Sequence, residues 1–374
     1  MKLKHSISLL LCLSLLFLTI TGCATSGADS GDHINHDDCD HTREFLVFES
    51  ALATFAPDTV MATTAAGALT WADLFIFLHR TVSNLLHSYG NSFDWNDGAD
   101  TGSSLADLVM DYSTEEALSF LAYLYGFNSL GFSLSADDLR ELTEELDELV
   151  EMYGGMDELE HSLRENGGFY NFELFEKLYK IEYTIGFLIN ELYGENASAF
   201  PDDRAAAYAE DNGYMMAMHI LRLKIEGDNT PFEESEEILA QLELHRDSND
   251  LYNVFFSLMN EHSEDGGLHS NPYGYLFLFH EMVEPFSIAS ASLKEGEMSG
   301  IVETVYGYHI ILRVPIDYDD IPFGFANAGI YRTLRQAAAL EEFDLLMTSW
   351  LEALNVEFTS EYNSIDLAAI FNFE

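Results

Sequence analysis

The sequence predicts an α+β protein that is mainly helical and carries one small antiparallel sheet surrounded by helices. Apolar residues recur at three- and four-residue steps through 45–213, which is the pattern of amphipathic helices. Met215–Leu223 is predicted instead as a strand that ends in a charged loop, and a strand hairpin is predicted from Ile301 to Val314. The helical pattern returns between Ala326 and Leu354. This order places a sheet-containing segment between two helical ones.

Residues 1–22 have the pattern of a secretory signal. Lys2 and Lys4 precede an uncharged apolar run from Ile7 to Ile20, which is too short for a comfortable bilayer span. The run ends in Ile20-Thr21-Gly22-Cys23, which resembles the lipobox of bacterial lipoproteins. The resemblance implies cleavage before Cys23 and lipid on that cysteine, with acyl chains that anchor the protein by about 0.8 kcal/mol per buried CH₂. An ordinary signal peptide with a chance cysteine is the alternative.

The charge of the chain excludes nucleic acid as a partner. With 16 basic and 65 acidic residues the formal charge is −49, and such a surface repels phosphates. A surface of this charge attracts basic or unfolded cationic chains over long distances, although a need for solubility alone explains the acidic charge equally well. Hydrophobic residues make up 48% of the chain, which is enough to form a buried core. Cys39 is the one thiol left after removal of the signal and lipidation of Cys23, so no internal disulfide framework is predicted.

Residues 23–44 form a polar tether rich in Gly, Ser, Asp and His. Several side chains of metal-ligating types lie within it, namely His33, His36, Asp37, Asp38, Cys39 and His41. Imidazole and thiolate together suit transition metals, but the spacing matches no closed structural zinc pattern. We interpret the segment as a solvated linker and predict no metal and no cofactor; a metal- or solute-binding lipoprotein is an alternative that rests on this tether alone.

Helices account for most of 45–213. Four are predicted, at 71–85, 135–152, 171–193 and 201–211. Ser135 followed by Asp138 matches an N-cap with a capping-box acid three residues later. The apolar stripes of these helices indicate a packed core rather than a ligand site.

Between Tyr214 and Pro315 short strands and helices follow one another. Thr230-Pro231 with Glu233 combines an N-cap, a proline at the first helical position and a capping-box acid. Further elements are predicted as a strand at 215–223, helices at 230–245, 251–262 and 284–293, a turn at 294–297, and a hairpin about Tyr306-Gly307.

The order of these pieces resembles the parvulin family of peptidyl-prolyl isomerases. The matching pieces are Met-Ala-Met-His219, Met282-Val-Glu-Pro-Phe286, Leu293-Lys-Glu-Gly-Glu-Met-Ser and Tyr306-Gly-Tyr-His309. The resemblance implies a parvulin domain at 214–316 that catalyses cis–trans isomerisation of prolyl bonds. Amide resonance sets a barrier of about 18–20 kcal/mol for that rotation. Lowering it needs an apolar grip on the proline ring and polar groups that favour the twisted amide, not a nucleophile or a metal.

The resemblance also assigns roles to single residues. Met282 and Phe286 match the ring-gripping methionine and phenylalanine of the family. Four further residues match a hydrogen-bonded network beneath the proline, namely His219, Asp265, Thr304 and His309. Taken alone, a histidine in an apolar strand is more often a satisfied core residue than a catalytic one. The ordered set across about a hundred residues is what favours the catalytic interpretation.

Two stretches depart from the family pattern. Gly266-Gly267 is followed by Leu268–Phe277 instead of the usual Asp-Leu-Gly, so the leucine that closes the pocket has no clean counterpart. Tyr275 or Leu276 is its candidate replacement. Phe279-His280 stands where the family has a glycine. These changes put the pocket shape in question.

The rest of the chain resembles the PrsA-type foldase lipoproteins. Thr59–Trp71 is similar to their strand-turn-helix opening, and their helical chaperone domain is split around an inserted parvulin domain. The resemblance implies that 45–213 and 317–374 form one chaperone domain. It implies an extracytoplasmic, membrane-anchored foldase whose partners are unfolded secreted polypeptides that contain proline. A holdase chaperone with a degenerate parvulin domain is the alternative, and the sequence leaves a homodimer open.

Overall fold

The computed structural model describes residues 41–91, 93–99, 102–330 and 332–373. The predicted signal peptide, Cys23 and the tether up to residue 40 lie outside these residues. The chain divides into two compact units. The first contains the described residues up to Leu192 together with those from Phe343 onward, and the second runs from Tyr193 to Glu342.

Helices dominate the described chain. In chain order they are α1 (His41–Leu52), α2 (Trp71–Tyr89), α3 (Leu105–Ser129), α4 (Ala136–Met152), α5 (Met156–Gly167), α6 (Phe172–Tyr193), α7 (Asp202–Asn212), α8 (Thr230–Glu243), α9 (Leu251–His262), α10 (Glu284–Ser292), α11 (Phe323–Asn327), α12 (Leu334–Ala353) and α13 (Leu367–Ile370). Short 3₁₀ turns lie at Glu195–Ala197, Phe279–Glu281 and Tyr362–Ser364.

The strands form two antiparallel sheets. In chain order they are β1 (Val60–Thr64), β2 (Gly67–Thr70), β3 (Tyr214–Leu223), β4 (Tyr275–Leu278), β5 (Met298–Glu303), β6 (Gly307–Val314) and β7 (Glu357–Phe358). The first unit has the order β2-β1-β7, and the second has the order β4-β3-β6-β5. The predicted fold class is confirmed, because the protein is mainly helical and its four-stranded sheet has helices around it.

Local capping explains where several helices of the first unit begin. Ser135 accepts a hydrogen bond from the backbone N–H of Asp138, whose carboxylate accepts one in return, so the predicted capping box of α4 is confirmed. Thr70 with Asp73 caps α2 in the same way. The apolar stripe of α4 is only partly buried, since Leu142 is 2% exposed and Leu139 is 41% exposed.

The C-terminal part of the first unit packs on its N-terminal part. The Phe343 ring of α12 stacks on Tyr123 of α3 at a centroid distance of 6.0 Å. Further along the chain, the ring of Phe371 lies 6.0 Å from that of Phe75 in α2. β7 pairs with β1, with Phe358 opposite Ala62. Residues almost three hundred positions apart in the sequence therefore pack in one core.

Two predicted helix starts were wrong. The helical pattern from Ala326 is interrupted after α11, because Gly329 takes the left-handed conformation at φ +73°, and α12 begins only at Leu334. Thr230 is the first residue of α8 rather than its cap, and the flanking Asn229 makes no side-chain cap bond. The Thr230 N–H instead donates to Asp228 Oδ1 at 2.9 Å, which the capping pattern did not anticipate.

Alternation along β3 gives the sheet of the second unit two different faces. Met216, Met218 and Ile220 pack into one core with Leu242 of α8 and Phe255 of α9. Met215 and Ala217 belong to a second cluster on the opposite face, with Phe286 of α10 and Ile311 of β6. Because His219 follows Ala217 by two residues, the pleat places it on the second face.

None of the described helices is long and apolar enough to cross a membrane.

His79 is expected to make the first unit sensitive to acid. Its side chain is 3% exposed and lies 4.1 Å from the Phe48 ring, and burial lowers its pKa to about 4. The unfolded chain binds a proton on this imidazole near pH 6.5, whereas the folded chain does not, so stability is lost as the pH falls. The free energy of unfolding should therefore drop by about 3 kcal/mol between pH 7 and pH 4 from this group.

Urea denaturation of the wild type and of His79→Leu at both pH values measures this contribution. The variant should lose the part of the pH dependence that belongs to His79. An equal drop in both proteins would contradict the assignment.

Candidate functional site

The candidate site lies on the face of the β4-β3-β6-β5 sheet that α10 covers. β3 supplies His219, and β6 supplies His309, whose backbone pairs with Leu221 two residues further along β3. α10 supplies Phe286, which is 2% exposed and packs between the two strands and Phe277. Three elements therefore aim ring side chains at one point of the sheet.

Asp265 organises one half of the site. Its Oδ2 lies 3.0 Å from Nε2 of His219 and accepts a 2.6 Å hydrogen bond from the Tyr275 hydroxyl. Its Oδ1 accepts a 3.0 Å hydrogen bond from the backbone N–H of Gly267. Burial raises the pKa of this carboxyl, but the bonds from His219, Tyr275 and Gly267 outweigh burial and hold the pKa below its usual range.

An ionised Asp265 fixes the orientation of its partners. A carboxylate only accepts hydrogen bonds, so Nε2 of His219 carries the proton that lies toward it. Burial and the neighbouring carboxylate raise the pKa of Tyr275, which keeps that hydroxyl protonated as a donor. His219 Nδ1 is buried and has no hydrogen-bond partner among the described residues.

Thr304 and His309 form the other half of the site. The Thr304 hydroxyl oxygen lies 2.8 Å from Nε2 of His309, and both residues are buried, at 6% and 3% exposed. The same oxygen accepts a 3.1 Å hydrogen bond from the Tyr306 N–H, which fixes the turn of the β5–β6 hairpin. Burial, and then the charge of His219, lower the pKa of His309 to about 3, so this imidazole is neutral at neutral pH.

Ring contacts join the two halves. The imidazole centroids of His219 and His309 are 5.2 Å apart. The Phe286 ring meets both edge-on, at 5.2 Å from His219 and 5.5 Å from His309. Met282 is half-buried and packs against the same cluster as Phe286. The site thus combines an apolar wall with buried polar groups. Such an arrangement can hold a small ring of a ligand by apolar contact and polarise the atoms next to that ring.

The structure brings together all seven residues that the sequence singled out within the parvulin-like segment. Hydrogen bonds divide the four polar ones into two pairs, His219 with Asp265 and Thr304 with His309. The pairs touch through the imidazole rings rather than through a shared hydrogen bond. Tyr275 faces this site, whereas Leu276 packs in the core on the other side of the sheet. Cys23 lies outside the described residues.

Two contributors to the site were missed by the sequence interpretation. The first is Gly267, where a side chain would overlap the Tyr275 hydroxyl, so only a glycine lets that hydroxyl approach the backbone. The Gly266-Gly267 pair was the signal in the sequence that could have indicated this contact. The ring of Phe323 lies 5.7 Å from that of Tyr275. Nothing in the sequence pointed to Phe323, because it follows the predicted boundary at 316. In the described part of the chain, no group of three or more His, Cys, Asp and Glu side chains could hold a metal ion.

Comparison with known families matches this segment to one of them. Residues 219–314 match the model of the PPIC-type PPIase domain, also called rotamase. Among curated proteins, the foldase protein PrsA of Clostridium perfringens is 26% identical over 168 residues, in each of two strains. That alignment covers 44% of this chain and 46% of the relative, so it spans about half the length of the curated relatives.

Solved structures of a PrsA protein and of SurA-like chaperones match at lower sequence identity. PrsA of Bacillus subtilis is 20% identical, with 85% of this chain and 100% of that chain covered and a TM-score of 0.25. A structure described as that of SurA-like chaperones from Campylobacter jejuni is 16% identical, with 80% and 100% covered and a TM-score of 0.24. TM-scores this low carry no argument about shape. Residues 219–314 therefore match the PPIC-type PPIase domain family, and the chain is similar over 168 residues to the foldase protein PrsA.

Proposed function

We propose that this protein is an extracytoplasmic foldase that catalyses cis–trans isomerisation of prolyl bonds in unfolded secreted polypeptides and also acts as a chaperone. The observation that carries the proposal is the cluster formed by the rings of His219, His309 and Phe286, in which Asp265 lies 3.0 Å from Nε2 of His219. This cluster lies within the segment that matches the isomerase family. Lipid on Cys23 would anchor the protein to the outer face of the bacterial cell membrane.

In this proposal the apolar and polar parts of the site have separate tasks. Met282 and Phe286 hold the proline ring by apolar contact. His219, oriented by Asp265, and the neutral His309, held by Thr304, lie beneath it and favour the twisted amide over the planar one. Binding the twisted state more tightly than either planar state lowers the barrier without forming a bond to the substrate. Such isomerisation takes about 10–100 s uncatalysed, which makes it a slow step of folding.

A specific observation also favours the holdase alternative. Tyr275 lies on the stretch that departs from the family pattern. Its side chain faces the site, and its hydroxyl donates a hydrogen bond to Asp265. A phenol there makes the pocket narrower and more polar than a leucine would. A peptide-binding domain with a weakened catalytic site would suit a chaperone that only prevents aggregation.

Proline-limited refolding of a denatured protein distinguishes the two functions. We expect the wild type to accelerate the slow refolding phase, and Met282→Ala and His219→Ala to lose about tenfold or more of that acceleration, as removal of groups that act on the transition state does. Met152→Ala, at an exposed position of α4, is the matched control and should keep full activity.

Equal acceleration by the wild type and both site variants would rule out the site assignment. Suppression of aggregation without any proline-dependent acceleration would favour the holdase.

A further inference from the structure

A second concave site lies in the first unit, away from the isomerase segment in sequence. Residues of α4 and α6 enclose a cleft of about 460 Å³, which falls in the size range of ligand sites. Its lining includes Tyr179, Glu182, Tyr183, Gly186 and Phe187. Gly186 leaves the space above it open, since a side chain there would meet no neighbouring atom.

Glu182 is an unsatisfied acid in this lining. The residue is 8% exposed, and its Oε2 has no hydrogen-bond partner among the described residues. Burial raises the pKa of its carboxyl to about 7. A buried carboxylate is stable only when a cation or hydrogen-bond donors compensate its charge. Glu182 therefore favours a ligand that brings a positive charge or a hydrogen-bond donor into the cleft.

The surrounding groups select for a cation. The Tyr179 hydroxyl donates to Glu145 at 2.9 Å, and the Tyr183 hydroxyl donates to Glu141 at 3.3 Å. Both phenol hydroxyls are therefore hydrogen-bonded to acids of α4, and these acids add negative charge beside the cleft. The aromatic rings can then accept the aliphatic stem and the charged head of a long basic side chain.

We propose that this cleft binds the positively charged side chain of a lysine or arginine in an extended polypeptide, with Glu182 as its counter-ion and Tyr179, Tyr183 and Phe187 as its walls. The net charge of −49 attracts such chains toward the protein over longer distances. The proposal rests on the proposed function only in supposing that unfolded polypeptides are the natural source of that side chain. The site would give the foldase a preference for client segments that carry basic residues.

The test measures binding of a labelled, proline-free Gly/Ser octapeptide with two lysines to the whole chain at 0.15 M salt, by fluorescence anisotropy. A matched peptide carries norleucine in place of lysine. We expect the wild type to prefer the lysine peptide by about tenfold or more, and Glu182→Gln to lose that preference. Glu191→Gln, which removes the same charge from an exposed position on the same helix, should change affinity less than about twofold.

Gly186→Leu provides a second, steric variant, because its side chain would extend into the open space of the cleft. It should weaken lysine-peptide binding by about tenfold while Glu182 is intact. Circular dichroism checks that each variant is folded. Unchanged binding of the lysine peptide by Glu182→Gln, or equal binding of both peptides by the wild type, would overturn the proposal.

Isomerisation of a short proline peptide by the wild type is measured in parallel. Catalysis without lysine-dependent binding would overturn the cleft assignment and leave the proposed function standing. Lysine-dependent binding without catalysis would support the cleft and count against the isomerase.

Discussion

Replacing Asp265 with alanine is expected to lower the kcat/KM for prolyl isomerisation about 100-fold and the free energy of unfolding by about 2–3 kcal/mol. The carboxylate accepts hydrogen bonds from His219, Tyr275 and the Gly267 N–H, and it is only 16% exposed. Without it, three donors at a partly buried position lose their acceptor, and the His219 ring loses the group that orients it.

Two further variants make this result interpretable. Asp265→Asn keeps one carbonyl oxygen as an acceptor, so it should lose less stability than Asp265→Ala. Glu226→Ala removes the same charge from an exposed loop position and should leave both quantities unchanged. Activity of Asp265→Ala within twofold of the wild type, in a folded protein, would show that the hydrogen bonds of Asp265 have no part in catalysis.

Two glycine-to-alanine substitutions in helices of the first unit are expected to have opposite effects on stability. Gly126 lies in α3 against Trp350 of α12, and a methyl group at this position would overlap the indole ring. Gly126→Ala should therefore lower the free energy of unfolding by about 1–3 kcal/mol through overpacking. Gly186 in α6 faces open space, so Gly186→Ala should raise it by about 0.5–1 kcal/mol through helix propensity.

Urea denaturation of the two variants and the wild type measures both changes. The pair tests whether the C-terminal helix packs closely on α3, because propensity alone predicts stabilisation at both positions. Stabilisation by Gly126→Ala would contradict that packing. Combining Gly126→Ala with Trp350→Leu should recover part of the loss, since the smaller side chain leaves room for the methyl group.

Local patterns in the sequence predicted part of the local structure, although α1, α3 and α5 were not among the four helices predicted for 45–213. The capping box of Ser135 and Asp138 involves residues three apart, so its geometry follows from the helix itself. The prediction of β3 as a strand likewise put His219 on the same face as Ala217, because side chains two residues apart in a strand share a face. By contrast, the start of α12 depended on Gly329 in a left-handed conformation, which a helical periodicity does not reveal.

The sequence predicted which residues form the site better than it predicted the contacts between them. Resemblance pointed to His219, Asp265 and Phe286 across about fifty to seventy residues of chain, which no periodicity could have linked. The choice between Tyr275 and Leu276 required the register of β4, because neighbouring residues in a strand face opposite sides. The cleft at Glu182 could not be predicted, since the apolar stripe of its helix looks the same whether the opposite face is covered or open.

Catalysis by the folded chain is the central claim, and exchange NMR on a short peptide with a single proline tests it most directly. At catalytic concentrations of the whole chain, cis and trans signals should exchange on the seconds timescale or faster, against about 10–100 s without enzyme. Scanning the residue before proline would then define the preference of a pocket that carries Tyr275. Exchange at the uncatalysed rate for every peptide in the series, from a folded protein, would contradict the account and leave the segment at 219–314 as a peptide-binding module.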